Sequence, residues 1–303
     1  MAKRDTSWTM AKYKRFLSEN RGAGQLASYK PWLSIQDFPS KGRVSRIKGW
    51  KTNRIHHFFS DIQTRCFYMF EWDDEIVDIR EHYPLLDLAE VVKDNKDLKQ
   101  EFFTNKEPPY ILTTTFLLTL RNHKYIARTV KSSSELGKKS VLERLEIERR
   151  YWAAKQIDFG IITQKEIPTK MVKNIEWIHS SLYTYEERGL TENSLENYCN
   201  ILIDKFRDNK HSIRKITSDF DKENNVSDGT GLFIFKYLLA SKIPTTSKAS
   251  TVENNEKPVK VRTKKVPPSA ENDIRVMVQN KEEDLTAYDV LKNHGLIKGF
   301  EVI

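Results

Sequence analysis

Residues 110–131 read YILTTTFLLTL, then RNH, then KYIARTVK. Thr, Ile, Leu, Phe and Val suit a pleated, half-buried surface, so each run is expected to be a strand. The short Arg121-Asn122-His123 link closes the two into a hairpin. No Asp or Glu occurs between Glu107 and Glu135. Both strands therefore lack negative charge.

Downstream, KKSVLERLEIERRYWAAKQ predicts a helix over about 138–156, and DFGIITQKEI at 158–167 supplies one more strand. Upstream, Ser60 is a plausible N-cap, because its hydroxyl can satisfy a free amide of the first helical turn. Ile62, Cys66, Phe67, Met69 and Phe70 then form an apolar helical face. Segment 74–86, DEIVDIREHYPLL, reads as extended, and 90–107 as a polar loop. The order is helix, strands, helix, strand, which places 59–170 in the α/β or α+β class. Residues 171–241 are helical in pattern and suit a small helical or winged-helix-like domain. Prolines and few large apolar groups make 242–272 a linker, and 273–303 a short C-terminal module for partner binding.

The 303 residues carry a formal charge of +9, and that charge is not spread evenly. Residues 1–58 hold thirteen Lys/Arg against three acids, a balance of +10, so the remainder sums to −1. Such an asymmetry is an electrostatic footprint for a polyanion, most often nucleic acid. Candidate contacts are Lys12, Lys14, Arg15, Arg43, Arg46, Lys48, Lys51, Arg54, His56 and His57. Interleaved aromatics such as Trp8, Tyr13, Phe16 and Trp32 suit exposed bases equally well as packing of the arm onto the body. Two cysteines, Cys66 and Cys199, make no disulfide framework, and a reducing compartment is expected. The start lacks a signal-peptide run, and LFIFKYLLA at 232–240 is far shorter than the ~20 residues of a membrane span. No membrane partner is expected. No GxxxxGK[ST] motif supports an intrinsic ATPase.

The run YKPWLSIQDFPSKGRVSRIKGWKTNRIHHFFSD at 29–61 resembles the TnsA family, with PWL, PS-GR, RI, KT-R-HH and SD as recurring elements. The likeness continues through Glu71-Trp72, VDIREHYPLL at 77–86, LERLEIERRYWAAKQI at 142–157 and NIEWIHS at 174–180. TnsA proteins are the restriction-endonuclease-like subunits of heteromeric transposases. The resemblance implies a type II restriction-endonuclease fold for the N-terminal domain and nicking of the 5′ ends of a transposon. It implies double-stranded DNA at transposon ends, a TnsB-like transposase and a TnsC-like ATPase as partners, and the bacterial cytoplasm and nucleoid as location. It also implies Mg²⁺ held by a helix Glu and a strand Asp, with a downstream Lys near the scissile phosphate.

Carried over residue by residue, that pattern partly fails. The helix Glu falls on Gln63 and the strand Asp on Thr115, whereas the Lys is Lys131 and a glutamate of the following helix is Glu148. Mg²⁺ is a hard cation that dehydrates reluctantly, and neutral Gln and Thr oxygens bind it far more weakly than carboxylates. Asp61 lies about 200° round the helix from Gln63 and faces elsewhere. Gln63 beside Cys66, Phe67 and Phe70 also fits a plain hydrogen bond inside the domain. Glu148 sits among Leu145, Tyr151 and Trp152 at helical spacing and needs a partner, with an ion pair to Lys131 or an Arg ahead of a metal-site remnant. Adjacent His56 and His57 diverge and are expected on DNA or in packing, so no metal ligand set is assigned. The sequence thus reads as a TnsA-like subunit with an impaired site. The alternatives are a DNA-binding accessory protein outside transposition, and an active nuclease with a relocated metal site.

Overall fold

A computed structural model describes residues 7–37, 42–104, 107–208 and 211–242. The chain divides into two compact units, with the described residues up to Val172 in the first and those from Lys173 in the second.

In the first unit, helix α1 (Met10–Ser18) starts where the Thr9 hydroxyl accepts from the Lys12 amide. Gly22 and Gly24, at φ 84° and 91°, turn the chain after it, conformations that glycine adopts without a Cβ penalty. The arm is packed by its aromatics. Trp8, Phe16 and Trp32 meet edge to face, at centroid distances of 5.4 Å for Trp8–Phe16 and 5.3 Å for Phe16–Trp32. The packing alternative for these rings is the one found.

Strands β1 (Ser45–Lys48) and β2 (Ile55–Phe58) follow, pairing antiparallel with Arg46 opposite His57. This ribbon went unread in the sequence because strands of four residues give almost no periodicity. Helix α2 (Asp61–Trp72) opens as expected, the Ser60 hydroxyl accepting from the Gln63 amide. Its buried Phe67 and Phe70 meet Phe58 and Phe116 at 4.9 and 5.1 Å.

Strand β3 (Ile76–Pro84) is followed by a short helix, α3 (Leu88–Val91). Strands β4 (Thr113–Leu120) and β5 (Tyr125–Val130) form the expected hairpin. Helix α4 (Lys139–Ala154) and strand β6 (Asp158–Ile162) complete the unit. The sheet order is β3-β4-β5-β6, antiparallel except for the parallel β5–β6 pair. A parallel pair requires a crossover, and α4 is that crossover. Leu117 and Ala127 of the sheet are buried in one cluster with Ile147, Tyr151 and Trp152 of α4. The stretch read as a polar loop, 90–107, is corrected in part: its Val92, Leu98 and Phe102 are buried in that same cluster. Apolar residues spaced irregularly among Lys and Asp gave no periodic signal there.

His82, near the C-terminal end of β3, has φ 51°. A left-handed residue interrupts the alternation of a pleated strand, so Glu81 and Tyr83 meet different partners. Glu81 bonds Arg54 and His56, whereas Tyr83 packs against Trp152 at 5.8 Å.

The second unit begins within α5 (Thr169–His179) and continues through α6 (Glu192–Asp208), α7 (Ile213–Glu223) and α8 (Thr230–Ala240). Leu202, Ile216, Phe220 and Ile234 anchor its core. The Asp221 carboxylate accepts from the amides of Gly229 and Gly231 at 2.8 and 2.6 Å, holding the start of α8 against α7. The expected helices are present; no strand that would form a wing lies among the described residues of this unit. The linker beyond Lys242 and the C-terminal module at 273–303 lie outside the described residues.

Candidate functional site

Glu148 is 2% exposed on the inner face of α4. One carboxylate oxygen, Oε2, accepts hydrogen bonds from two threonine hydroxyls of the sheet, Thr114 of β4 at 2.9 Å and Thr129 of β5. The Trp152 indole N–H donates in turn to the Thr114 hydroxyl at 2.8 Å. Burial pushes the Glu148 carboxyl up to about 7, against the two hydroxyl donors and the positive charges of Lys131 and Arg144 that pull it down. Burial wins because hydroxyl dipoles replace water only partly. The ion pair to Lys131 or an Arg expected for Glu148 is corrected here. Neither cation lies within ion-pair distance, and hydroxyls satisfy the acid instead.

Thr115, the position matched to the family's strand Asp, bonds within the sheet. Its hydroxyl accepts from the Val130 amide at 3.0 Å, at the end of the strand pairing where β4 and β5 meet. Thr114, its neighbour, is the residue that reaches Glu148, and sequence reasoning missed it together with Thr129, although helical spacing had put Trp152 beside Glu148. No signal marks which of three consecutive threonines faces the helix when the strand alternation is broken beside them. Lys131 follows β5 directly, its amide donating to the Ile162 carbonyl at 3.0 Å. Arg144 stands one turn before Glu148 on α4, its guanidinium 5.8 Å from the ring centroids of both Phe102 and Tyr110. Gln63 is used locally. Its Oε1 accepts from the Phe59 amide at 2.8 Å, so it caps the end of β2. This is the plain hydrogen bond that the sequence allowed for it.

Do these residues fit a divalent cation? Among the described residues no group of three or more His, Cys, Asp or Glu is placed to hold a metal ion. Glu148 is the single acid of the group, and its Oε2 already accepts two hydrogen bonds. Gln63 spends its oxygen on a backbone amide. Mg²⁺ binds through carboxylates that offset the cost of its dehydration, and this donor set supplies too little charge to fit it.

The candidate polyanion contacts separate into two groups. His56 is corrected: it is fully buried, Nδ1 donating to Glu81 at 2.8 Å and Nε2 bonded to Thr52 Oγ1 at 2.7 Å. Arg54 is also committed inward, its guanidinium spanning both Glu81 oxygens with a side chain only 8% exposed. His56 and the Arg54 guanidinium together hold the Glu81 carboxyl well below the usual range, against its own burial. The Lys51 ammonium donates to the carbonyls of Asp73 and Ile76, and Lys12 to that of Asp37 at 2.7 Å. Arg15 pairs with Glu19 and Asp37, both at 3.5 Å. Arg43 is largely exposed and 4.0 Å from Asp61. Lys14 and Arg46 are exposed, and Lys48 and His57 are half-buried on the ribbon. Burial lowers the His57 imidazole below its ordinary value. Both cysteines are buried and free, and burial raises both thiols, Cys199 to about 12. No helix among the described residues is long and apolar enough to cross a membrane.

Comparison with known proteins identifies the scaffold. Residues 73–164 match the family model described as TnsA-like endonuclease N terminal, and residues 166–245 match TnsA endonuclease C terminal. The chain is 38% identical over 184 residues to the transposon Tn7 transposition protein TnsA of Escherichia coli. That alignment covers 59% of this chain and 66% of the relative, just under two thirds of its length. A mixed sheet crossed by α4, followed by a helical unit, is consistent with the restriction-endonuclease-like class expected for such an N-terminal part. With both its N-terminal and C-terminal parts represented in sequence, the chain belongs to the TnsA-like endonuclease family.

Proposed function

We propose that this chain is a TnsA-like subunit of a heteromeric, Tn7-type transposase that binds DNA at transposon ends and assembles with its partners without cutting the 5′ strands. The observation that carries the reading is the state of the site. One oxygen of its single acid, Glu148, accepts from two threonine hydroxyls, and the positions matched to the family's other acids are Gln63 and Thr115. A restriction-type nuclease needs metal-bound carboxylates to activate water and stabilise the leaving oxygen. Partners would be a TnsB-like transposase and a TnsC-like ATPase in the bacterial cytoplasm, with residues 1–170 facing DNA and the rest facing protein. Outward cations supporting the DNA role are Lys14, Arg43 and Arg46.

A nicking assay tests this, using a transposon-end duplex, the TnsB-like partner and Mg²⁺. The chain is expected to leave the 5′ strands intact, and Gln63→Glu combined with Thr115→Asp to restore cuts. Efficient 5′ nicking by the unaltered chain, abolished in Lys131→Ala, would show a working site and defeat the proposal.

A further inference from the structure

The outer face of the β1–β2 ribbon is cationic around one bare aliphatic side chain. Its register sets Arg46 opposite His57 and Lys48 opposite Ile55, and residues paired at alternate positions share a face. On the other face His56 and Phe58 are fully buried. Arg46 is exposed, and among the described residues no carboxylate lies within ion-pair distance of it, whereas Arg43 and Arg54 pair with Asp61 and Glu81. Ile55 is 48% exposed between these cations. The ribbon is held from elsewhere. Beneath it, Glu81 accepts from the Arg54 guanidinium, the His56 ring and the His57 amide. At its tip the Trp50 amide donates to the buried Glu71 carboxylate, and the Trp50 and Trp72 rings lie 6.3 Å apart. Among the described residues the two strands pair only with each other. None of these contacts takes a side chain from the outer face, and an element ordered in advance loses little entropy on binding.

Two strands about 4.8 Å apart fit the major groove of B-DNA, which is about 12 Å wide and walled by phosphates that cations neutralise. An aliphatic side chain gains nothing from phosphate. On the floor of that groove, however, each thymine presents a methyl group, the apolar feature among the base edges. We propose that the ribbon lies in the major groove of the end duplex, with Arg46 on the backbone and Ile55 packed against thymine methyl groups. Ile55 is then a residue that reads sequence rather than charge. This rests on the DNA-binding reading above and adds the element that enters the duplex, the groove it enters and the base feature it reads.

The full chain is titrated by fluorescence anisotropy, in EDTA and across a salt series, with a short transposon-end duplex and with the same duplex carrying deoxyuridine for thymidine. That exchange removes the major-groove methyl groups and keeps the base pairing. The unaltered chain is expected to bind the deoxyuridine duplex about 4-fold more weakly for each methyl contacted, the effect of exposing one buried methyl-sized group. Ile55→Ala should bind both duplexes with one lower affinity and an unchanged salt slope, because no charge is lost. Circular dichroism melting of the variant separates weakened DNA binding from impaired folding, and the two duplexes test the unaltered chain without any variant. Equal binding of the two duplexes by the unaltered chain overturns the inference, as does undiminished discrimination by folded Ile55→Ala. If Arg46→Ala still lowers the salt slope in that case, DNA binding stands and the groove reading alone falls. If duplex is bound but neither Arg46→Ala nor Ile55→Ala changes affinity, the face serves a protein surface instead and the inference fails. Failure of the unaltered chain to bind any duplex overturns both readings.

Discussion

Glu148 is an acid whose position, rather than its type, determines its state. Full burial and two hydroxyl donors leave its carboxyl at about 7, above the ordinary value of 4.5. Between those values the folded chain holds a proton that the unfolded chain has released. Stability contributed by this group is therefore fully present below about 4.5 and declines as pH rises through about 7. The difference amounts to roughly 3 kcal/mol at its plateau. Glu148→Gln preserves an acceptor oxygen for Thr114 and Thr129 and removes the titration. The variant is expected to be more stable than the parent at pH 8 and to lose that advantage near pH 4.5. Urea unfolding across that range checks it; parallel curves for the two proteins would show that Glu148 does not titrate there.

Among the elements, the β1–β2 ribbon depends on one buried acid. Glu81 of β3 binds the Arg54 guanidinium, the His56 ring and the His57 amide at once. Removing one partner of a buried, hydrogen-bonded ion pair leaves the other charge uncompensated, at a cost of about 3–5 kcal/mol. Glu81→Ala is expected to lower stability by that amount, measured by urea unfolding at neutral pH, and a drop under 1 kcal/mol would refute the anchoring role. Because its carboxyl is held low, Glu81 contributes stability above its ordinary pKa that is lost as pH falls, the reverse of Glu148. The longer elements were legible in the sequence. The Ser60 cap, the α2 face, the β4–β5 hairpin and α4 all carry caps or periodicity over eight residues or more. What escaped reading was short or irregular: the four-residue strands of the ribbon, the buried apolar residues of 92–102, and the break in β3 at His82. The site was half legible for the same reason. Glu148 and Lys131 stood out as chemical types, but which threonine faced the acid depended on a strand whose alternation no local rule predicts.

Across the whole molecule, the basic excess of the first 58 residues does two different jobs, and burial tells them apart. Arg54 and Lys51 are spent on internal acceptors, and Lys12 and Arg15 bond within the arm. Arg46 projects outward from β1 opposite His57, and Lys14 projects from α1. A count of charges therefore overstates the polyanion footprint, since each internally paired cation releases no DNA counterion on binding. The two classes should separate under mutation. Arg46→Ala is expected to change stability by less than about 0.5 kcal/mol, as surface substitutions do, while lowering duplex affinity and reducing the salt slope by about 0.9. Arg54→Ala strands the buried Glu81 carboxylate and should cost about 3–5 kcal/mol. Once corrected for the unfolded fraction, its salt slope should match that of the unaltered chain. Thermal melts and anisotropy titrations on the same two proteins check both halves. If Arg54→Ala stayed fully stable and instead bound DNA with a reduced salt slope, the inward ion pair would not describe the molecule that meets DNA.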